Sequence, residues 1–243
     1  MEKIVDPHFI NRGLQLFGIF VRATLSLRYK VQMNDPSCLL SDPRPKLFMP
    51  NHQALIDPVI LVAHLYKTQP VYPFIIEDYF KIPGVGRLFK ALDARKVPNA
   101  IHARKNPNYL SELVAELLHI LSQEKNVLLY PSGSLTNDGI EHIKGQKLGW
   151  EICSKLPTNV LVIGVKGNGL WGSSFSKYKT GKTPSLVNTI VKNIVYAILR
   201  GLFFMPRRNV NFTFENITKD ILSKQNGEKN EFNSYLENFY SKN

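Results

Sequence analysis

Leu47-Phe48-Met49-Pro50-Asn51-His52-Gln53-Ala54-Leu55-Ile56-Asp57-Pro58, running on into Val59-Ile60-Leu61-Val62-Ala63-His64-Leu65, is the stretch from which the fold is read. Leu47-Phe48-Met49 is a short apolar run between prolines, which suits a buried strand, and Val59 to Leu65 suits a helix. On that reading Asp57 is the helix N-cap and Pro58 its first residue, and an Asp-Pro pair of this kind needs no catalytic explanation. His52 is different. It falls in the strand-to-helix turn, where open α/β sheets expose functional groups, and an imidazole is the side chain best suited to move a proton near neutral pH. A carboxylate five residues on can fix its tautomer and support its imidazolium, so capping and proton transfer are both open to Asp57.

Working outward, further strands are expected near residues 71–76, 90–97, 126–130, 159–165 and 209–214, in addition to 46–49. Helices are expected near 57–66, 109–124 and 145–155, and Leu110, Leu113, Val114, Leu117, Leu118 and Leu121 give the clearest helical stripe. This alternation predicts an α/β fold with a mostly parallel central sheet flanked by helices, in one domain spanning 1–243. No repeat or low-complexity segment interrupts it. The polar tail from Ser223 to Asn243 reads as a terminal helix or frayed end, with Phe232, Tyr235, Leu236 and Phe239 as its docking face.

Asn51-His52, four residues and then Asp57 resembles the NHxxxxD motif of the glycerolipid acyltransferase superfamily, which includes the 1-acylglycerol-3-phosphate acyltransferases. The downstream segments keep the family's order. Phe80-Lys81-Ile82-Pro83-Gly84-Val85-Gly86-Arg87 through Leu92-Asp93-Ala94-Arg95 is similar to the second block, with Arg95 matched to its arginine and Lys96 as a second frame. Val127-Leu128-Leu129-Tyr130-Pro131-Ser132-Gly133-Ser134-Leu135 resembles the third block, apolar residues and then FPEGTR. Tyr130, Pro131 and Gly133 fit and Ser134 replaces threonine, but Ser132 stands where the family has glutamate and Leu135 where it often has arginine. Asp138-Gly139, Lys144-Gly145 and the apolar Val160 to Val165 complete the pattern, so the motif-bearing core is 45–170.

The resemblance implies transfer of an acyl group from an acyl-CoA or acyl-carrier-protein thioester to the hydroxyl of a lysophospholipid or related lipid, with no other cofactor. An alcohol needs a base to attack a thioester, which gives His52 the role of general base and Asp57 that of orienting it. No Ser or Cys nucleophile is required, and Cys38 and Cys153 read as structural residues. Backbone amides near Ser132 to Ser134 are candidates for holding the oxyanion. An acceptor phosphate would fall to Arg95, with Ser132, Gly133 and Ser134 nearby and Arg104 or Lys144 as helpers, although a solvated surface cation is the competing reading of each basic residue. The departures at Ser132 and Leu135 leave two alternatives: a hydroxyl acceptor that is not a glycerolipid, or a membrane-binding module with weakened catalysis.

Of 243 residues, 44% are hydrophobic, enough for a full core, and the formal net charge of +12 calls for an anionic partner. Two cysteines give no disulfide framework and favour a reducing compartment. His64, His102, His119 and His142 lack metal-ligand spacing, so no metal site is assigned. Between nucleic acid and membrane, two amphipathic stretches decide. Residues 8–30 carry His8, Asn11, Arg12, Gln15, Arg22 and Ser26 on one stripe with apolar residues around the rest, too interrupted by arginine for a signal peptide. Residues 186–205 carry a second such stripe, with Lys192 and Arg200 inside the apolar run. Each cation would cost about 2.5–3.5 kcal/mol at a bilayer centre, whereas in the interface each gains about 1 kcal/mol from anionic lipid. These stretches therefore predict peripheral or monotopic attachment to an anionic bilayer at its cytoplasmic face, with a core helix as the alternative for 186–205. The basic residues are scattered and match no nucleic-acid recognition module.

Overall fold

The computed structural model describes residues 12–82, 84–199 and 206–242. In chain order the elements are α1 (Arg12–Ser26), β1 (Tyr29–Asn34), β2 (Lys46–Pro50), α2 (Asp57–Leu65), β3 (Val71–Ile76), α3 (Val85–Ala91), β4 (Arg95–Val97) and α4 (Ala100–Lys105). There follow α5 (Tyr109–Ser122), β5 (Asn126–Leu128), α6 (Leu148–Cys153), β6 (Leu161–Asn168), α7 (Leu186–Leu199), β7 (Arg208–Asn216), α8 (Thr218–Ser223) and α9 (Lys229–Ser241). The strands form one sheet in the order β1-β7-β6-β2-β5-β3-β4. All neighbours run parallel except β6 and β7, which are antiparallel. The fold is α/β with a mostly parallel sheet flanked by helices.

Alternation along the strands builds a core on each face, as a parallel sheet covered on both sides requires. From β2, Leu47 and Met49 enter the layer formed with α5, α6, α8 and α9, and Phe48 enters the layer formed with α2. The tail is a docked helix rather than a frayed end: Phe232, Leu236 and Phe239 of α9 are buried, and Tyr235 packs at their margin. Gly164 makes this possible, because a Cβ on that residue of β6 would stand 2.5 Å from the Phe239 ring.

Three local readings need correction. The N-terminal helix ends at Ser26, and Tyr29–Lys30 already belong to β1, in which buried Tyr29 and half-buried Val31 and Met33 alternate with Lys30, Gln32 and Asn34. The strand expected over 90–97 is only Arg95–Val97, because residues 85–91 form a helix. Asp57 does not cap α2. It is the helix's first residue, Pro58 the second, and the N-cap position is Ile56, with no side-chain cap bond. Residues 8–11 and 200–205 of the two amphipathic stretches lie outside the described residues.

Because β6 runs parallel to β2 and antiparallel to β7, the C-terminal ends of β2 and β6 share one sheet edge with the start of β7. That edge carries the 51–56, 129–147 and 169–185 loops.

Candidate active site

The turn after β2 is held by side chains that close back on backbone. Asn51 clasps Gly167 in both directions, donating Nδ2–H to its carbonyl at 3.0 Å and accepting its N–H at 2.6 Å. Gln53 Oε1 accepts the N–H groups of Leu170 and Trp171 at 3.2 and 3.1 Å. The Asp57 carboxylate points back into the same turn, where Oδ2 accepts from Gln53 N at 2.6 Å and Ala54 N at 2.9 Å. His52 Nδ1 lies 3.3 Å from that oxygen, the histidine side chain being 14% exposed and the aspartate 3%. With Nδ1–H directed at Asp57, the tautomer leaves Nε2 to accept a proton.

Two residues to which the sequence assigned no role at the site, Tyr130 of the third block and Glu141, complete the surroundings of His52. The Tyr130 ring sits 4.3 Å from the imidazole, centroid to centroid. Glu141 is buried, and its Oε2 accepts the His52 backbone N–H at 2.9 Å. Burial pushes the Glu141 carboxyl above its ordinary range, against the opposing pull of that N–H and of the Ser132 hydroxyl. Among the described residues, five buried side-chain polar atoms lack a hydrogen-bond partner, and three of them are Asp57 Oδ1, Tyr130 Oη and Glu141 Oε1. Buried polar groups are ordinarily paired, so their concentration around one histidine singles this turn out as the candidate site.

The third block folds beside this turn. Thr136 N–H reaches the His52 carbonyl at 2.9 Å, joining the two segments. Gly133 adopts φ 61°, a left-handed conformation suited to glycine, and its N–H closes a turn onto Tyr130 O at 3.1 Å, so that amide is committed to the turn. Ser132 is buried, donates to Ser134 O at 2.9 Å and interacts with the Glu141 carboxylate; Ser134 is exposed. Leu135 is buried, and Lys177 Nζ from the 169–185 loop donates to its carbonyl and to Asn137 Oδ1, each at 2.9 Å. The two charges missing from this block are therefore present beside it, brought by Glu141 and Lys177 from elsewhere in the chain. The α9 helix steadies the Glu141 loop: Glu237 Oε1 accepts Ile143 N and Lys144 N at 2.6 and 3.0 Å, and Asn233 Nδ2 donates to Lys144 O at 2.8 Å.

The remaining basic candidates are not drawn to the dyad. Arg95 lies on edge strand β4, with its guanidinium 3.4 Å from Asp93 and 3.6 Å from Glu116. Arg104 is exposed on α4, beyond that edge. Lys144 is exposed, and its described bonds are made through its backbone. Lys96, the second frame for the block arginine, rests over the Phe80 ring at 5.4 Å.

The arrangement is a histidine held by a buried carboxylate at the C-terminal edge of a parallel sheet, beside a turn that offers backbone amides. That chemistry suits deprotonation of a hydroxyl that attacks a carbonyl. No curated protein matches the chain. Among solved structures it is similar to the 1-acyl-sn-glycerophosphate (LPA) acyltransferase PlsC from Thermotoga maritima, with a TM-score of 0.58 at 18% identity over 96% of this chain and 81% of that one. The model of the family described as Acyltransferase matches residues 32–167, more than half of the chain, and takes in the dyad, Tyr130, Ser132 and Glu141. With the strand-turn-helix geometry and the order of the blocks in agreement with that match, the chain belongs to the acyltransferase family.

Proposed function

We propose that the protein is a membrane-associated O-acyltransferase that moves a fatty acyl group from an acyl-CoA or acyl-carrier-protein thioester to the hydroxyl of a lysophospholipid or related lipid. The observation that carries this reading is the His52–Asp57 pair fixed in a turn whose Asn51, Gln53 and Asp57 side chains bond back to backbone. His52 Nε2 takes the acceptor's hydroxyl proton as its oxygen bonds to the thioester carbonyl carbon. With the Gly133 N–H committed to Tyr130 O, the Ser132 and Ser134 amides of the same turn are the ones that hold the resulting oxyanion. The intermediate collapses with cleavage of the C–S bond, and the thiolate leaves with the proton from the imidazolium, which returns His52 to its neutral state. Asp57 keeps Nδ1–H in place throughout. For the acceptor's phosphate, Lys177 is the cation that stands beside the third block, whereas Arg95 is engaged by two carboxylates. The carboxylate and ammonium returned by Glu141 and Lys177 favour an active enzyme over a weakened binding module.

Exposure along α7 supports work at a membrane surface. Two of its polar residues turn inward: Thr189 is buried, and Asn193 donates to Thr189 O at 2.7 Å and to Ser174 Oγ at 2.9 Å. Val187, Val191, Ile194, Val195, Ile198 and Leu199 face outward, and Ile19 and Phe20 of α1 are exposed as well. A core helix buries its apolar stripe, and α7 does the reverse. Among the described residues no helix is long and apolar enough to cross a membrane. The test is to incubate the protein with acyl-CoA or acyl-carrier-protein donors and a mixed panel of lysolipids, then identify acylated products by mass. Lipid binding without any turnover across the panel would overturn the reading.

A further inference from the structure

On the same sheet edge as His52, but under α7, lies a cavity of about 400 Å³ lined by Arg28, Lys179, Lys192 and Arg208, with Ser174 and Asn193 among its polar groups. Among the described residues, no carboxylate lines it. The four cations come from separate parts of the chain: the turn after α1, the 169–185 loop, α7 and the start of β7. Among the described residues none of the four forms an ion pair with a carboxylate. Gathering like charges around one cavity costs free energy unless an anion offsets it.

The two arginines are also positioned in advance. Arg208 donates to Trp171 O at 3.0 Å and Arg28 to Pro206 O, and the Arg208 N–H bonds Arg28 O at 2.8 Å. Each guanidinium is thus anchored by one N–H, and the geometry of the fork suits a phosphate. Along the sheet, β1 and β7 stand two to three strands from β2, which at strand spacing is roughly 10–15 Å. Tyr29, which lines the cavity, is raised chiefly by burial, and its phenol also feels Arg28, Arg208 and the Asp57 carboxylate, so the cavity and the dyad share one field. Lys192 brings its charge from α7 to the cavity, while Val191, Ile194 and Ile198 of the same helix face outward.

We propose that this cavity binds a phosphate group, that of an anionic glycerophospholipid whose acyl chains lie along the outer face of α7. The lipid source rests on the membrane reading of the proposed function, and the phosphate site does not. The terminal phosphates of a CoA donor present the same chemistry at a compatible distance from His52, so the experiment carries both ligands in soluble form. The full chain is titrated calorimetrically with dihexanoyl phosphatidate below its micelle concentration and, separately, with adenosine 3′,5′-bisphosphate. The double variant Lys179→Gln/Lys192→Gln is compared with Lys105→Gln/Lys219→Gln, which removes the same charge from exposed sites elsewhere. Expected is binding of dihexanoyl phosphatidate that weakens at least tenfold in the first variant and stays within twofold in the second. The same pattern with adenosine bisphosphate alone would keep the phosphate site and assign it to the donor, overturning the lipid source. If neither ligand binds, or if both double variants behave alike, the phosphate site is overturned. His52→Ala should bind dihexanoyl phosphatidate as wild type does, and a wild-type protein that binds it but transfers no acyl group would count against the catalytic reading and not against this one.

Discussion

Glu141 lies against Ser132 and holds the His52 backbone N–H at 2.9 Å, so a carboxylate absent from the third block is supplied by the loop that comes after it. The carboxyl group that the linear motif lacks is restored in space, and the behaviour of Glu141 stems from its burial.

Replacing Glu141 with Ala leaves the His52 N–H buried without an acceptor, which should cost about 1–3 kcal/mol and lower acyl transfer at least tenfold. Glu141→Gln keeps an acceptor oxygen and should recover most of the stability. Urea unfolding and initial rates on the two variants check both statements.

The same pair predicts a pH dependence. A carboxyl raised above its ordinary value near 4.5 in the folded state holds its proton longer there than in the unfolded chain. The contribution of Glu141 to stability is therefore fullest below pH 4.5 and is lost as pH rises through the elevated folded value. Unfolding curves of wild type and Glu141→Gln across this range should diverge, with wild type losing stability relative to the variant as pH increases.

Asn51→Ala removes both bonds to Gly167 and leaves that residue's buried N–H and C=O unpaired. A loss of about 2 kcal/mol or more is expected, with a lower kcat because the His52 turn loosens. Asn51→Asp keeps the acceptor and loses the donor, so its denaturation midpoint should fall between those of wild type and the alanine variant.

Val191→Asp and Ile194→Asp place charges on the outward face of α7, where both residues are about half exposed and little packing is lost. Thermal stability should change by no more than about 0.5 kcal/mol, while partitioning onto anionic vesicles falls at least tenfold. Melting curves and vesicle sedimentation measure the two quantities on the same samples.

The residues whose local pattern carries their fate were legible in the sequence. The 46–50 strand, the 109–122 helix and the His-to-Asp spacing belong to this class, since each is fixed by a short apolar period or by neighbours a few residues away. Tyr29–Asn34 was not, because an edge strand with a weakly alternating face comes directly after a helix with a strong moment of its own. Asp57 looked like a cap from its place before proline, and only the turn's path shows its carboxylate directed backward. Glu141 and Lys177 were invisible for a physical reason: their partners, His52 and Leu135, lie far off in the chain, and nothing in the local sequence records a contact made by folding. The apolar stripe at 186–199 was legible, but the direction in which it points depends on how Thr189 and Asn193 meet the 169–185 loop.

The central claim is that His52 is the base for acyl transfer, and product formation by His52→Ala tests it most directly. With a thioester donor and the acceptor found by mass analysis, the account predicts a loss of about 10²–10⁴-fold in rate while folding and vesicle binding remain those of wild type. A His52→Ala protein that forms the acylated product at the wild-type rate would contradict it.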